Sequence, residues 1–238
     1  DLASLDRRRS LERVLTARCR TILETFQRVG PAVVLVELFP FGRKKFAPEL
    51  IPLFDVAHDL GRGRPLLVTS VRDILVTGRE NQVRHDDRAG ELANRYLDAV
   101  LVHADPRFVR FEESFRPRQP LQVPVHYTGF VTAPVRATAG AAAPPGGARR
   151  VVVSAGGGLV GGPLLRAAVE AHALLWASDR IEMTVIGGPS LPPDDWAALR
   201  AAAAHRPGLM LRRTVPDLRA ELVGAAVSVS QCGYNTAL

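Results

Sequence analysis

The stretch Val151-Val152-Val153-Ser154-Ala155-Gly156-Gly157-Gly158-Leu159-Val160-Gly161-Gly162-Pro163 limits what this chain can become more than any other. A run of β-branched residues forms a short buried strand, and the glycines behind it let the backbone turn sharply and approach a ligand closely. From Leu164 to Trp176 apolar residues recur at helical spacing. Strand, glycine loop and helix N-terminus in that order aim unpaired backbone N–H groups at an anion such as a diphosphate. Glycine loops also serve as plain turns, so the rest of the chain has to decide between the two uses.

The rest of the chain alternates strands and helices. Leu11, Leu15, Cys19, Ile22 and Phe26 draw one apolar stripe along a helix predicted over 6–29, and Cys19 reads as a core thiol on that stripe. Gly30-Pro31 stops the helix, and 32–37 reads as a strand ending on an acid. The loop Leu38-Phe39-Pro40-Phe41-Gly42-Arg43-Lys44-Lys45 reads as exposed aromatics around a basic tip. A helix over 46–60, a strand over 66–70, a helix running to about 98 and strands over 99–103 and 123–127 complete this half. Residues 132–149 are dominated by Ala, Pro and Gly and keep no periodicity, which marks a linker. Beyond it, strands over 150–154, 182–187, 209–213 and 225–229 alternate with helices over 163–177, 193–205 and 216–223, and a last helix starts near Gly233.

Strands alternating with full-length helices imply parallel sheets covered on both faces. The fold class is therefore α/β: two Rossmann-like doubly wound domains, 1–131 and 150–238, joined by the linker. The chain starts without Met and stops inside a predicted helix, so a fragment truncated at both ends is expected.

Charge and cysteine usage narrow the function classes. The net charge is +7, but Lys44 and Lys45 are the only lysines and the arginines are scattered through predicted helices, which argues against a nucleic-acid stripe. Cys19 and Cys232 are far apart and show neither metal-site nor disulfide spacing. Cys232 reads as a small packing residue. The longest apolar runs are strand-sized and the N-terminus has no signal-peptide pattern, so a cytoplasmic protein is expected. The loop 39–46 could dock peripherally on the anionic inner face of a membrane.

In open parallel sheets ligands bind beyond the carboxyl ends of the strands. In the second half those ends carry Ser154 with Gly156, Gly157 and Gly158, then Gly188, then Val215 before Pro216-Asp217, then Ser230, Gln231, Gly233, Asn235 and Thr236. Glycine-bearing loops and small polar donors there suit a nucleotide diphosphate. In the first half Glu37, Asp73, His103 and Asp105 stand at strand ends, where each could act as a general base. His126 and His172 read as packing or surface residues.

These residues carry a resemblance. The Ser-Ala-Gly-Gly-Gly loop, Pro216-Asp217-Leu218 and above all Ser230-Gln231-Cys232-Gly233-Tyr234-Asn235-Thr236 resemble the C-terminal domain of family 28 glycosyltransferases. These are GT-B enzymes related to the lipid-linked N-acetylglucosamine transferase of peptidoglycan synthesis. Phe39-Pro40-Phe41-Gly42 and Val125-His126-Tyr127-Thr128-Gly129-Phe130-Val131 are similar to motifs of a bacterial group of such enzymes.

The resemblance implies transfer of a sugar from a nucleotide-diphosphate donor, a UDP-sugar such as UDP-N-acetylglucosamine, to an acceptor hydroxyl, a lipid-linked one among the candidates. It implies inversion at the anomeric carbon with no metal and no cofactor. Gly156 to Gly158 would turn under the diphosphate, Val215 would lie by the nucleobase, and Gly233 and Thr236 would approach the phosphates. The family's ribose-binding acid and its glycine-histidine loop would lie outside the chain. An epimerase of the same fold and a non-catalytic nucleotide or glycolipid binder are the alternatives. A nicotinamide enzyme fits less well, since no acid sits near the end of the following strand to hold a ribose.

Overall fold

A computed structural model describes residues 10–72, 74–132 and 149–237. Most of the expected linker, 133–148, lies outside the described residues. The chain divides into two compact units, Asp1–Val131 and Thr132–Leu238, each built around its own four-stranded parallel sheet.

The first unit opens with α1 (Leu11–Val29), whose N-cap Ser10 accepts a hydrogen bond from the Arg13 N–H at 3.3 Å and whose end is turned by Gly30 at φ 53°. Strands β1 (Val33–Glu37), β2 (Leu66–Arg72), β3 (Ala99–His103) and β4 (Val125–Tyr127) lie side by side in chain order. The connections run through α2 (Ala47–Asp59), α3 (Gln82–Tyr96) and a single turn, α4 (Phe111–Ser114), that periodicity does not reveal. Right-handed crossovers in an order that never reverses put α2 and α3 on the same face. There Val36, Leu67, Val71, Val100 and Val102 pack with Phe54, Ala57, Ala93 and Tyr96 in one core. On the other face Val33, Leu35 and Leu66 are 50, 59 and 54% exposed, so among the described residues the expected cover is present on one face.

Two expectations change here. Phe39 and Phe41 are not surface aromatics: both are 1% exposed. Phe39 lies 6.0 Å from Phe54, and Phe41 meets Phe111 and Phe115 edge-on at 5.1 and 4.9 Å. Burying such a ring is worth about 1.5–3 kcal/mol, more than a loop gains by exposing it to water. Left-handed residues at Leu38 and Arg43 turn the loop inward and leave Arg43, Lys44 and Lys45 outside. Cys19 is not a core thiol either. It is partly exposed and lines an open groove with Leu11, Leu15 and Leu23, because the α1 stripe meets the core through its C-terminal part, with Phe26 buried and Ile22 packed against the core.

In the second unit β5 (Arg150–Ser154), β6 (Glu182–Ile186), β7 (Leu209–Arg212) and β8 (Val227–Ser230) form a sheet of order β7-β6-β5-β8. The β-branched run of β5 is central, with Val152 and Val153 at 0 and 1% exposure. The chain steps from β5 through α5 (Gly162–Asp179) to β6, and through α6 (Pro193–Ala203) to β7. It then returns through α7 (Leu218–Val223) past β5 to β8, and ends in α8 (Tyr234–Ala237). Leu165, Val169 and Leu199 of α5 and α6 pack on Val151, Val153, Met183 and Val185. Among the described residues no helix is long and apolar enough to cross a membrane.

Candidate active site

The strand order of the second unit reverses at β5: after stepping outward through β6 and β7, the chain returns to lay β8 along the other side of β5. Such a reversal opens a crevice at the carboxyl edge, where ligands of open α/β sheets bind. Ser154 and Ser230 end the two strands and are register partners. The loops that follow meet, with the Gln231 side-chain amide donating to the Val160 carbonyl at 3.3 Å. The structure therefore brings Ser154, Gly156–Gly158, Ser230, Gln231 and Gly233 to one edge.

Within the first loop the glycines divide by role. At Gly158, φ is 89° and a Cβ would lie 2.3 Å from the Gly187 carbonyl oxygen; at Gly188, φ is 91° and a Cβ would lie 2.4 Å from that of Gly156. The loops after β5 and β6 thus pack backbone to backbone, and the Ser190 N–H donates to the Gly157 carbonyl at 2.8 Å. Gly156, Gly157 and Gly233 have open space where a side chain would begin. Among the described residues no backbone hydrogen bond engages the N–H groups of Gly156, Gly157, Leu159 or Val160. The helix behind them, α5, starts at an N-cap glycine with no side-chain cap. The Asp195 carboxylate, near the first residue of that helix, is paired with Arg166 at 2.7 Å. The Ser154 hydroxyl is buried without a partner. Unpaired amides at a helix N-terminus are an anion-binding arrangement.

Val215 lies beyond β7, the far edge of the sheet, in the loop whose Arg213 carbonyl accepts from Gly188 N–H at 2.8 Å. Asp217 caps α7, accepting from the Arg219 N–H at 2.9 Å. Cys232 is exposed rather than packed, in a left-handed conformation at φ 54°, with its N–H donating to the Ser230 hydroxyl at 3.1 Å. Thr236 donates its N–H to the Gly233 carbonyl, and Asn235 stands in α8.

In the first unit the carboxyl edge of the less-covered face carries a different chemistry. Alternation along parallel strands places Glu37, Ser70, Arg72 and His103 on that face. The His103 Nε2 lies 2.6 Å from the Ser70 hydroxyl and its Nδ1 lies 2.7 Å from the Thr128 hydroxyl. Thr128 donates its own proton to the Gly129 carbonyl at 2.9 Å. Each ring nitrogen of His103 thus lies within hydrogen-bond distance of a hydroxyl, and the tautomer sets which one donates. Burial, and then the nearby charge of Arg72, push the His103 pKa below the ordinary histidine value. The shift favours the neutral imidazole, held between the Ser70 and Thr128 hydroxyls on the less-covered face.

The other acids are engaged. Each oxygen of Glu37 meets an arginine, Arg72 at 3.3 Å and Arg43 at 3.2 Å. Asp105 accepts from the Arg107 N–H at 2.8 Å and from its guanidinium at 2.7 Å, and these contacts hold its pKa down at about 2, so it is a poor base. Asp73 lies outside the described residues. His126 is exposed and His172 is buried. Ser70 and Thr128, the partners of His103, were not singled out from sequence. Their only signal was their place at strand ends, beside a histidine at a third. Among the described residues no group of three or more His, Cys, Asp or Glu side chains could hold a metal ion.

An α/β fold of parallel sheets, the second with a glycine loop at its strand-order reversal, defines the class of fold as Rossmann-like. Among solved structures the chain is similar to one described as the glycotransferase of kitacinnamycin, at a TM-score of 0.55 and 15% identity, covering 92% of this chain and 57% of that one. The chain thus spans little more than half the length of that neighbour, and at such identity the likeness speaks for the fold alone. No family model matches the chain, and no curated protein matches it.

Proposed function

We propose that the protein is a glycosyltransferase that moves a sugar from a nucleotide-diphosphate donor, a UDP-sugar, to an acceptor hydroxyl. The observation that carries the reading is the strand-order reversal between β5 and β8 with unpaired loop amides and an uncapped α5 N-terminus beside it. In this reading Ser154, Gly156 and Gly157 receive the diphosphate, with Ser230, Gln231, Gly233, Asn235 and Thr236 from the neighbouring loop. Gly158 and Gly188 fix the loops behind them, and the Val215 backbone faces the base.

His103 serves as general base in the first unit. Its imidazole takes the acceptor's proton, the acceptor oxygen bonds to the anomeric carbon, and the bond from that carbon to the diphosphate oxygen breaks. The electron pair leaves with the nucleotide diphosphate, whose charge the loop amides stabilise without a metal. Attack opposite the leaving group inverts the anomeric configuration. The test is nucleotide release from UDP-N-acetylglucosamine and other nucleotide sugars across a panel of hydroxyl acceptors. Acceptor-dependent release with a glycosylated product is expected. An isomerised donor sugar in acceptor-free reactions would indicate an epimerase instead.

A further inference from the structure

The first unit has a cavity of about 470 Å³ at its carboxyl edge, between the loop after β1 and the start of α3. That volume lies in the range of small-molecule sites. Lys44, Arg79, Arg84 and Arg88 stand around it, with Glu80 as the carboxylate in its wall. His85 also lines it and is paired with Asp86 at 3.2 Å. Arg79 donates to the Val76 carbonyl and reaches Gln82 at 3.4 Å. The side chains of Lys44, Arg84 and Arg88 have no hydrogen-bond or ion-pair partner among the described residues, although the net charge of the chain already favours pairing cations wherever an acid is near. The same wall holds the first turn of α3, whose N-cap Asn81 makes no side-chain cap. Against these charges the remaining wall is apolar, formed by Phe39, Ala47, Ala89 and Leu92.

We infer that this cavity binds an organic phosphate. The phosphate oxygens are received by Lys44, Arg84, Arg88 and the α3 N–H groups, and an apolar ester group lies on the partly exposed Ala47 and Leu92. Phosphate fits the donor set because several cations and backbone N–H groups converge on one small volume, which a single carboxylate would leave partly unanswered. An apolar wall beside the cations distinguishes such a ligand from a free inorganic ion. The site lies wholly in the first unit and does not depend on the donor reading.

The test is titration of the protein with octyl phosphate below its micelle concentration, with octyl glucoside and inorganic phosphate as controls, for wild type and an Arg84→Ala/Arg88→Ala variant. Both arginines are exposed on α3, so an unchanged melting temperature and circular dichroism spectrum are expected of the variant. Octyl phosphate should bind more tightly than inorganic phosphate, octyl glucoside should not bind, and the variant should bind octyl phosphate at least tenfold more weakly. Cosedimentation with phosphatidate vesicles that is lost in the variant would assign the phosphate to a lipid headgroup; its absence alongside octyl phosphate binding would assign it to a soluble ester. Equal binding by variant and wild type, equal binding of octyl glucoside, or displacement of octyl phosphate by UDP would overturn the inference. Failure of UDP to bind at all would count against the donor reading and leave this one standing.

Discussion

As the proposed base, His103 must be neutral to accept a proton, and its pKa lies below the ordinary histidine value. The acid limb of a kcat/KM profile should therefore have its midpoint below pH of about 6.5. His103→Gln should lower the transfer rate by roughly 10²–10⁴-fold and leave nucleotide affinity unchanged. A midpoint above the ordinary value, or an active variant, would remove His103 from this role. His172 makes a different pH statement. It is 1% exposed and stacked on Trp176, and burial together with the Arg206 charge lowers its pKa. The unfolded chain then binds a proton that the folded chain refuses, so stability is full above the unfolded value of about 6.5 and is lost as pH falls through it toward the folded pKa. Thermal melts from pH 8 to 5 should show this loss, and His172→Phe should flatten it.

At the scale of elements, the two glycine loops separate structure from ligand binding. Gly158→Ala and Gly188→Ala each force a Cβ against a backbone oxygen at a left-handed residue, and should each cost at least about 2 kcal/mol in chemical denaturation. Gly157→Ala meets open space and should change stability by no more than about 0.5 kcal/mol. The loop after β1 offers a parallel test. Phe41→Ala should destabilise the first unit by about 3–5 kcal/mol, since its ring fills the space between Phe111 and Phe115; a ring serving only as a surface anchor would cost almost nothing.

The strand and helix order was legible in the sequence because buried parallel strands are continuous apolar runs, as at Val151–Val153, and because glycines mark the turns behind them. Long-range register was not. Ser70, His103 and Thr128 meet only after three parallel strands align, and the inward turn of Phe39 and Phe41 depends on rings contributed by α2 and α4. The loop-to-loop packing behind Gly158 and Gly188 was hidden for the same reason.

For the molecule as a whole, we propose donor binding in the second unit and proton acceptance in the first, within a chain spanning 57% of the solved glycotransferase structure it resembles. Central to this proposal is a nucleotide diphosphate held at the carboxyl edge between β5 and β8. The most direct test is calorimetric titration with UDP and UDP-N-acetylglucosamine, for wild type and Gly157→Ala. The account predicts binding by the wild type and at least tenfold weaker binding by the variant, a loss of about 1.4 kcal/mol, at unchanged stability. Absence of binding by any nucleotide or nucleotide sugar, or equal affinity in the two proteins, would contradict it.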